Sequence, residues 1–174
     1  MILNELNKHF TKFDIRVIQE DDLEDLYRLQ LSNSSYFSLT QENKVTFNDC
    51  IRGTKTLPPN TIIDQKYYLG FFRGRKLEVI IDFITDYPEK HIIWIGLLMV
   101  DGKLKRQGLG TSVIEAMKII TFKLNYLSLQ LGVIEPNKKA LEFWNAMGFV
   151  EFRRSKTIEN DKLGPDVIVL KFTL

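Results

Sequence analysis

The sequence has almost no cysteine, no long apolar run and little net charge, and each absence narrows what the protein can be. Its one cysteine, Cys50, excludes an internal disulfide and fits a reducing compartment. No apolar run approaches the length of a membrane span, and the first ten residues, MILNELNKHF, lack the basic and then apolar regions of a signal peptide. We therefore expect a cytoplasmic protein with no membrane partner.

The charge balance argues against a nucleic-acid-binding protein. The net charge is +2, because 24 Lys and Arg are offset by 22 Asp and Glu. The exception is a short basic segment with Lys103, Lys105 and Arg106, which suits a small polyanion. With 174 residues, 44% of them hydrophobic, the chain can bury a full core without a disulfide or a metal. We expect one domain over residues 1–174 and no metal site.

The chain is organised around a strand, a basic turn with two glycines and a helix, in that order. The apolar run at 92–100 predicts a central strand buried on both faces, and 111–124 has the apolar spacing of a helix. The first amides of such a helix lack internal partners and lie at the positive end of its dipole, so they bind anions. Gly108 and Gly110 allow close backbone approach and the positive φ that such turns often need.

Spacing separates this turn from two common phosphate-binding motifs. A Rossmann fingerprint needs a third glycine where Val113 stands. A P-loop needs Lys followed by Ser or Thr where the chain has Thr111 and Ser112. Both motifs fail.

Two segments with the right order and separation resemble motifs of the GNAT superfamily of acyl-CoA-dependent N-acyltransferases. Residues 105–110, KRQGLG, are similar to the (Arg/Gln)-x-x-Gly-x-(Gly/Ala) motif, with Lys105 as a departure that keeps the charge. Residues 137–149, NKKALEFWNAMGF, resemble the family's Asn-x-x-Ala-x-x-Phe-Tyr-x-x-x-Gly-Phe segment. The resemblance is strong over the C-terminal half and rests on element order in the N-terminal half.

The resemblance implies a mixed α/β fold. Its central, mostly antiparallel twisted sheet has a splayed parallel strand pair and helices on both faces. It also implies acetyl-CoA, or a close acyl analogue, as the acyl donor. The residues expected to bind this cosubstrate lie on the splayed strand, on the glycine turn and in the second motif: Leu98, Met99, Val100, Lys105, Arg106, Gln107, Gly108, Leu109, Gly110, Thr111, Asn137 and Trp144. Asn137 also has the place of a helix N-cap, so we expect it to do both jobs.

Aromatic residues mark the expected acceptor side. Tyr36 and Phe37 lie in a polar stretch, 32–45, that we expect to be a loop, and in the family this connection helps to wall the acceptor site. Trp94 on the central strand could stack on an acceptor, although all three rings could equally serve packing. The acceptor stays open between a small-molecule amine, a peptide or protein N-terminus and lysine. The oligomeric state also stays open, with a homodimer as one option.

The catalytic groups are the least determined part. Many family members place a Tyr, as general acid, where this chain has Trp144, and some place a Glu or His base where it has Trp94. An indole N–H does not release its proton near neutral pH. Other candidates for proton removal are Asp82, inside an apolar strand, Tyr87 and His91.

Two interpretations of the function are consistent with these sequence features. In the first, the protein is an N-acetyltransferase in which a primary amine attacks acetyl-CoA directly within a ternary complex. In the second, the domain binds acyl-CoA without turnover, as a regulatory or interaction module. A general nucleotide or nucleic-acid module fits poorly, because it lacks the matching phosphate motif and an extended basic face.

Further elements follow from turns and caps. Residues 66–72 and 76–84 predict a hairpin around Arg73, Gly74 and Arg75. Thr40 is expected to cap a helix over 41–52, and 157–165 is expected to be a polar loop between the last two strands.

Overall fold

The computed structural model describes residues 1–40, 44–159 and 162–174. It contains six α-helices in its described part: α1 Ile2–His9, α2 Leu23–Leu31, α3 Ser34–Thr40, α4 Phe47–Lys55, α5 Leu109–Lys123 and α6 Lys138–Ala146. The strands are β1 Asp14–Val17, β2 Lys66–Arg73, β3 Lys76–Thr85, β4 Ile92–Val100, β5 Ser128–Ile134, β6 Val150–Glu159 and β7 Lys162–Thr173. None of the described helices has the length and apolar character needed to cross a bilayer.

The seven strands form one mixed sheet in the order β1-β2-β3-β4-β5-β7-β6. Only β4 and β5 pair in parallel among the described strands, and the other neighbours pair antiparallel. A parallel pair needs a crossover connection, which α5 supplies. The predicted mixed α/β architecture and its mostly antiparallel sheet are confirmed.

The parallel pair opens after four residues on each strand. Pairing runs from Ile92 opposite Ser128 to Ile95 opposite Leu131 and ends there. A bulge coincides with this point, because β3 pairs with Ile95 and then with the residue two positions on, leaving Gly96 without a cross-strand partner in that register. The predicted splay is therefore present, and its apex is Gly96.

Helices cover both faces of the sheet. One cluster packs α1, α5 and Trp144 of α6 on the sheet, and the second packs α2 and α4 on the other side. The predicted apolar stripe of α5 supplies the first cluster with Val113, Met117 and Ile120, and Thr121 of the same stripe is also buried. The first cluster packs α5 against β4 through Ile93 and Ile95, and this contact positions the cleft beside them.

Two predictions in the N-terminal half are wrong. The stretch expected as a loop contains α3, which carries both Tyr36 and Phe37. The next helix begins at Phe47, where Thr46 accepts a hydrogen bond from the Asp49 N–H at 3.2 Å and completes a capping box with the Asp49 side chain. Thr40 is the last residue of α3, and residues 41–43 of the expected helix lie outside the described part.

Two further predictions about strands need correction. The expected loop at 157–165 is mostly strand, because β6 continues to Glu159 and β7 starts at Lys162. The central strand β4 is not buried on both faces, since Gly96 is exposed and Leu97 and Leu98 are half-buried. The reason is the divergence of β5, which leaves this end of β4 beside a cleft.

Candidate active site

A cavity of about 770 Å³ lies where β4 and β5 diverge, beside the first turns of α5 and α6. It gathers almost all the residues expected to bind the cosubstrate. Those that line it are Leu98, Met99, Val100, Lys105, Arg106, Gly108, Leu109, Gly110, Thr111, Asn137 and Trp144. Gln107 is not among the described lining residues, and its amide donates to the Lys103 carbonyl at 3.3 Å.

The glycine turn has the backbone geometry of an anion site. Gly108 is the N-cap of α5 and adopts φ 81°, and Arg106 adopts φ 61° two residues earlier. A Cβ on Gly108 would meet no atom within 4 Å, so crowding inside the fold does not exclude a side chain here. The positive φ is the reason that glycine is favoured at this position. The first turn of α5 contains no acidic residue. Its amides and dipole therefore present positive potential to the cavity.

The start of α6 adds a second positive terminus to the same cavity. Asn137 caps this helix, and its Oδ1 accepts from the Ala140 N–H at 3.2 Å. The cap predicted from the sequence is confirmed. Lys138 and Lys139 follow it and line the cavity together with the cations of the glycine turn. Sequence reasoning missed this pair, although two lysines directly after a helix cap are a readable signal.

The diverged end of β4 turns main-chain groups towards the cavity. The N–H of Asp101 donates to the Glu78 carbonyl of β3 at 2.8 Å. Main-chain groups alternate sides along an antiparallel strand, so those of Leu98 and Val100 point away from β3, where β5 has diverged. The Asn33 Nδ2 donates to the Val100 carbonyl at 3.0 Å. The N–H groups of these two residues are consequently directed at the cleft.

Asn33 ties the junction of α2 and α3 to this strand end. Its buried Nδ2 also donates to the Leu29 carbonyl at 3.0 Å, and the Gly102 N–H donates to the Ser32 Oγ at 2.9 Å. A Cβ on Gly102 would stand 2.5 Å from the Ser32 carbonyl oxygen, so only glycine allows this approach. The sequence prediction missed Asn33, because that segment was expected to be a loop.

A second cavity of about 540 Å³ lies on the other side of the bulge and is lined by all three residues expected on the acceptor side, Tyr36, Phe37 and Trp94. Phe37, Asp82, Tyr87 and Trp94 line it. The two cavities meet at the bulge, because Tyr36, Gly96 and Leu97 line both.

Asp82 lies against the bulge and is held by a buried lysine. A Cβ on Gly96 would stand 3.0 Å from the Asp82 Oδ2, so the glycine leaves room for this carboxylate. Lys66 Nζ donates to the other oxygen, Oδ1, at 2.8 Å, and the Lys66 side chain is only 3% exposed. Burial raises the pKa of Asp82, and the charge and hydrogen bond of Lys66 oppose that rise. Sequence reasoning did not identify Lys66.

Lys66 packs against Tyr68, which is the first of a series of hydrogen-bonded polar side chains. Its Nζ lies 5.5 Å from the centre of the Tyr68 ring. The Gln30 Nε2 donates to the Tyr68 Oη at 3.2 Å, and the Cys50 thiol donates to the Gln30 Oε1 at 3.1 Å. Burial raises the pKa of the Cys50 thiol to about 11, so Cys50 acts here as a protonated donor.

Tyr87 and His91, the other two candidates for proton transfer, have different surroundings. Tyr87 contacts Trp94 edge to face, with ring centres 5.9 Å apart, in the wall of the second cavity. His91 is exposed at the start of β4, where its backbone N–H donates to the Asp86 Oδ1 at 2.8 Å. His91 lines neither cavity. Asp82 and Tyr87 therefore line the same cavity, and His91 lies outside both cavities.

Trp144 belongs to the core and to the wall of the first cavity at once. It is 7% exposed and packs edge to face between Phe143 and Phe149, with ring centres 5.0 Å away in both cases.

Within the described residues, no group of three or more His, Cys, Asp or Glu side chains is arranged to hold a metal ion.

The sequence model described as "Acetyltransferase (GNAT) family" matches residues 20–149. No curated protein sequence gives a significant match.

Solved structures share the fold at low sequence identity. An acetyltransferase from Thermus thermophilus is 23% identical, with a TM-score of 0.72 over 94% of this chain and 97% of that one. The ribosomal-protein-S18-alanine N-acetyltransferase from Escherichia coli is 15% identical, with a TM-score of 0.64 over 92% and 93%. An N-acetyltransferase from Staphylococcus aureus is 12% identical, with a TM-score of 0.65 over 92% and 98%.

Proposed function

The chain belongs to the acetyltransferase (GNAT) family, and we propose that residues 1–174 form one N-acetyltransferase domain. In this proposal a primary amine attacks acetyl-CoA directly within a ternary complex. The observation that carries it is the meeting of two cavities at the Gly96 bulge, one with anion-binding helix termini and the other with a buried carboxylate. The free, buried Cys50 fits a reducing compartment, so we place the reaction in the cytoplasm.

The first cavity fits the chemistry of acetyl-CoA. Its basic end has Lys105, Arg106, Lys138 and Lys139 beside two helix N-termini, which suits the phosphates of the cosubstrate. The open backbone groups of β4 suit the amide-bearing pantetheine arm, since an extended chain can bond to a free strand edge. When bound there, acetyl-CoA supplies an acyl group activated as a thioester.

The residues at the bulge would polarise the thioester carbonyl and orient the attacking amine. An N–H of the diverged strand, such as that of Leu98, is placed to donate to the thioester carbonyl oxygen, and one such donor contributes roughly 10²–10³ in kcat. Holding the amine beside the thioester supplies further acceleration, on the order of 7–11 kcal/mol at best. Useful rates therefore do not depend on a dedicated acid at Trp144.

Asp82 is our candidate for the general base. Its Oδ2 faces the bulge where the two cavities meet, and Lys66 holds the other oxygen. As the amine nitrogen bonds to the carbonyl carbon and the carbon–sulfur bond breaks, Asp82 accepts one proton from the nitrogen. The raised pKa makes this carboxylate a stronger base than an exposed aspartate, and the charge of Lys66 favours its ionised form.

Tyr36 is the described tyrosine that lines both cavities, and we assign it to the leaving group. Burial raises the pKa of its phenol, so Tyr36 stays protonated and can donate a hydrogen bond to the departing sulfur. The departing thiolate takes up a proton from solvent, and Asp82 releases the proton of the amine to solvent, so the protons balance over one turnover.

The alternative function, acyl-CoA binding without turnover, has one observation in its favour. Tryptophans occupy both positions at which relatives of the family carry an acid or a base, and neither indole transfers a proton. Turnover by the wild type separates the two functions, and Asp82→Asn tests the proposed base, because the amide keeps the size of the carboxylate and cannot accept the proton.

The experiment measures thiol release from acetyl-CoA with a panel of primary amines, for the wild type and for Asp82→Asn. The acetyltransferase proposal expects amine-dependent release by the wild type. It expects a loss of roughly 10²–10⁴ in kcat for the variant, with unchanged acetyl-CoA affinity. Tight binding with no amine-dependent release by the wild type would instead support the non-catalytic module.

A further inference from the structure

Aromatic side chains from separate parts of the chain meet in the second cavity. Tyr36 and Phe37 of α3 form one side and Trp94 of β4 another, with Tyr87 against Trp94 from the loop before β4. Pro58, from the segment after α4, adds a further apolar surface. Aromatic faces gathered in this way bind an apolar body, and they orient it through edge-to-face and stacked contacts.

Both carboxylates that line this cavity are already paired with a cation. Asp82 is paired with Lys66 at 2.8 Å. Asp49 accepts from the Thr46 N–H and Oγ1, both at 2.8 Å, and forms an ion pair with Arg52. The charges of these two pairs cancel. A second ammonium group on an acceptor would therefore find no unpaired carboxylate among the described lining residues.

This pairing discriminates between classes of amine. A polyamine or a basic peptide carries several cationic groups that lose water on entering the cavity. Such groups need partners, and burying them without partners is unfavourable. An acceptor with one amine on an apolar body avoids this loss, because only the reacting nitrogen must reach the polar groups at the bulge.

We infer that the acceptor is a small primary amine with a single amino group on an apolar, preferably aromatic, body. Its ring lies among Tyr36, Phe37, Tyr87 and Trp94, and its nitrogen lies at the Gly96 bulge beside Asp82. The cavity volume of about 540 Å³ falls in the range of small-molecule sites. This inference rests on the proposed function, and it adds the chemical class of the acceptor.

The test compares kcat/KM of the wild-type protein for 2-phenylethylamine and tryptamine with that for spermidine and for a lysine-containing peptide. We expect the two aromatic amines to be preferred by a factor of roughly ten or more, the range that apolar contacts give. Trp94→Ala should remove most of this preference by raising KM for the aromatic amines more than KM for spermidine.

Two further variants keep the test decisive. Phe37→Leu probes the opposite wall should Trp94→Ala fail to fold, and it should also lower the preference. Phe122→Ala removes an aromatic ring that is 69% exposed on α5, outside both cavities, and should leave the preference unchanged.

The outcomes distinguish a failure of the inferred acceptor class from a failure of the proposed acetyltransferase function. Faster turnover of spermidine or of the peptide would overturn the acceptor class and leave the acetyltransferase intact. Retention of the aromatic preference in both wall variants would overturn the placement of the ring. Saturable acetyl-CoA binding with no turnover of any amine would remove the proposed function, and the acceptor class would fall with it.

Discussion

Exchange of Gly108 for alanine tests the glycine turn more selectively than a larger side chain would. The residue adopts φ 81°, and a Cβ there meets no atom within 4 Å. The mutation therefore adds no clash within the fold and acts in two ways only. It strains the backbone by about 1–2 kcal/mol, and it projects a methyl group into the space assigned to the pyrophosphate.

The hairpin between β2 and β3 offers a matched control. Gly74 adopts φ 61°, and a Cβ there also meets nothing within 4 Å, but this turn lines neither cavity. We expect Gly74→Ala and Gly108→Ala to lose similar stability, about 2–8 °C in Tm for a chain of this size. Only Gly108→Ala should also lose acetyl-CoA affinity, roughly 10- to 100-fold, the value of a lost hydrogen bond to a charged group.

The assay pairs calorimetric titration of acetyl-CoA with thermal unfolding of both variants and the wild type. Equal destabilisation with affinity lost in the Gly108 variant alone would agree with the assigned turn. Wild-type affinity in a folded Gly108→Ala protein would refute the placement of the pyrophosphate at this turn.

The remaining predictions concern Lys66, Asn33 and Trp144. Only ionised Asp82 can accept a proton, so kcat should fall as the pH falls through its pKa, which burial raises and Lys66 lowers. Lys66→Met should move the fall in kcat to higher pH, and Lys66→Arg should largely restore the wild-type pH profile. An unchanged pH profile in Lys66→Met would contradict the role of Lys66 in lowering the pKa of Asp82. Asn33→Ala leaves the Val100 carbonyl without this donor, about 1–3 kcal/mol for a buried acceptor, whereas the Leu29 carbonyl keeps its bond from the Ser32 Oγ at 2.6 Å. The variant should raise KM for acetyl-CoA, and an unaltered KM would contradict the role of Asn33 in holding the end of β4. Trp144→Phe should keep measurable thiol release, and complete loss with intact acetyl-CoA affinity would show that the indole takes part in the chemistry.

The cofactor side of the site could be predicted because its signals are local in sequence. A strand, a basic turn with Gly108 and a helix within about thirty residues determine each other's positions, and Asn137 repeats the pattern at the next helix. These segments also carry the family motifs. The structure therefore gathers all but one of the expected residues around one cavity.

The acceptor side could not be predicted, because it depends on register between distant segments. The hairpin of β2 and β3 was expected, but a bulge shifts its register between Phe71 and Phe72. Without that bulge Lys66 would pair opposite Phe83, and its side chain would lie on the face away from Asp82. With the bulge Lys66 pairs opposite Ile84 and reaches the carboxylate. No local sequence pattern predicts such a one-residue shift in strand register.

The helix α3 shows a second limit. Its sequence, SSYFSLT, is rich in residues that favour turns, so local propensity argued for a loop. Buried contacts outweigh that propensity, because Tyr36 and Phe37 pack on the cluster of α2 and α4, and Asn33 is fixed to β4 just before the helix. The helix places both rings in the wall of the acceptor cavity.

The central claim is that the chain binds acetyl-CoA at the diverged strands and passes its acetyl group to an amine. Calorimetric titration with acetyl-CoA, with ATP as a comparison, followed by thiol release with 2-phenylethylamine in the same preparation, tests it most directly. The account predicts saturable acetyl-CoA binding, little or no ATP binding, and amine-dependent release of the thiol. Binding of ATP without binding of acetyl-CoA would contradict it.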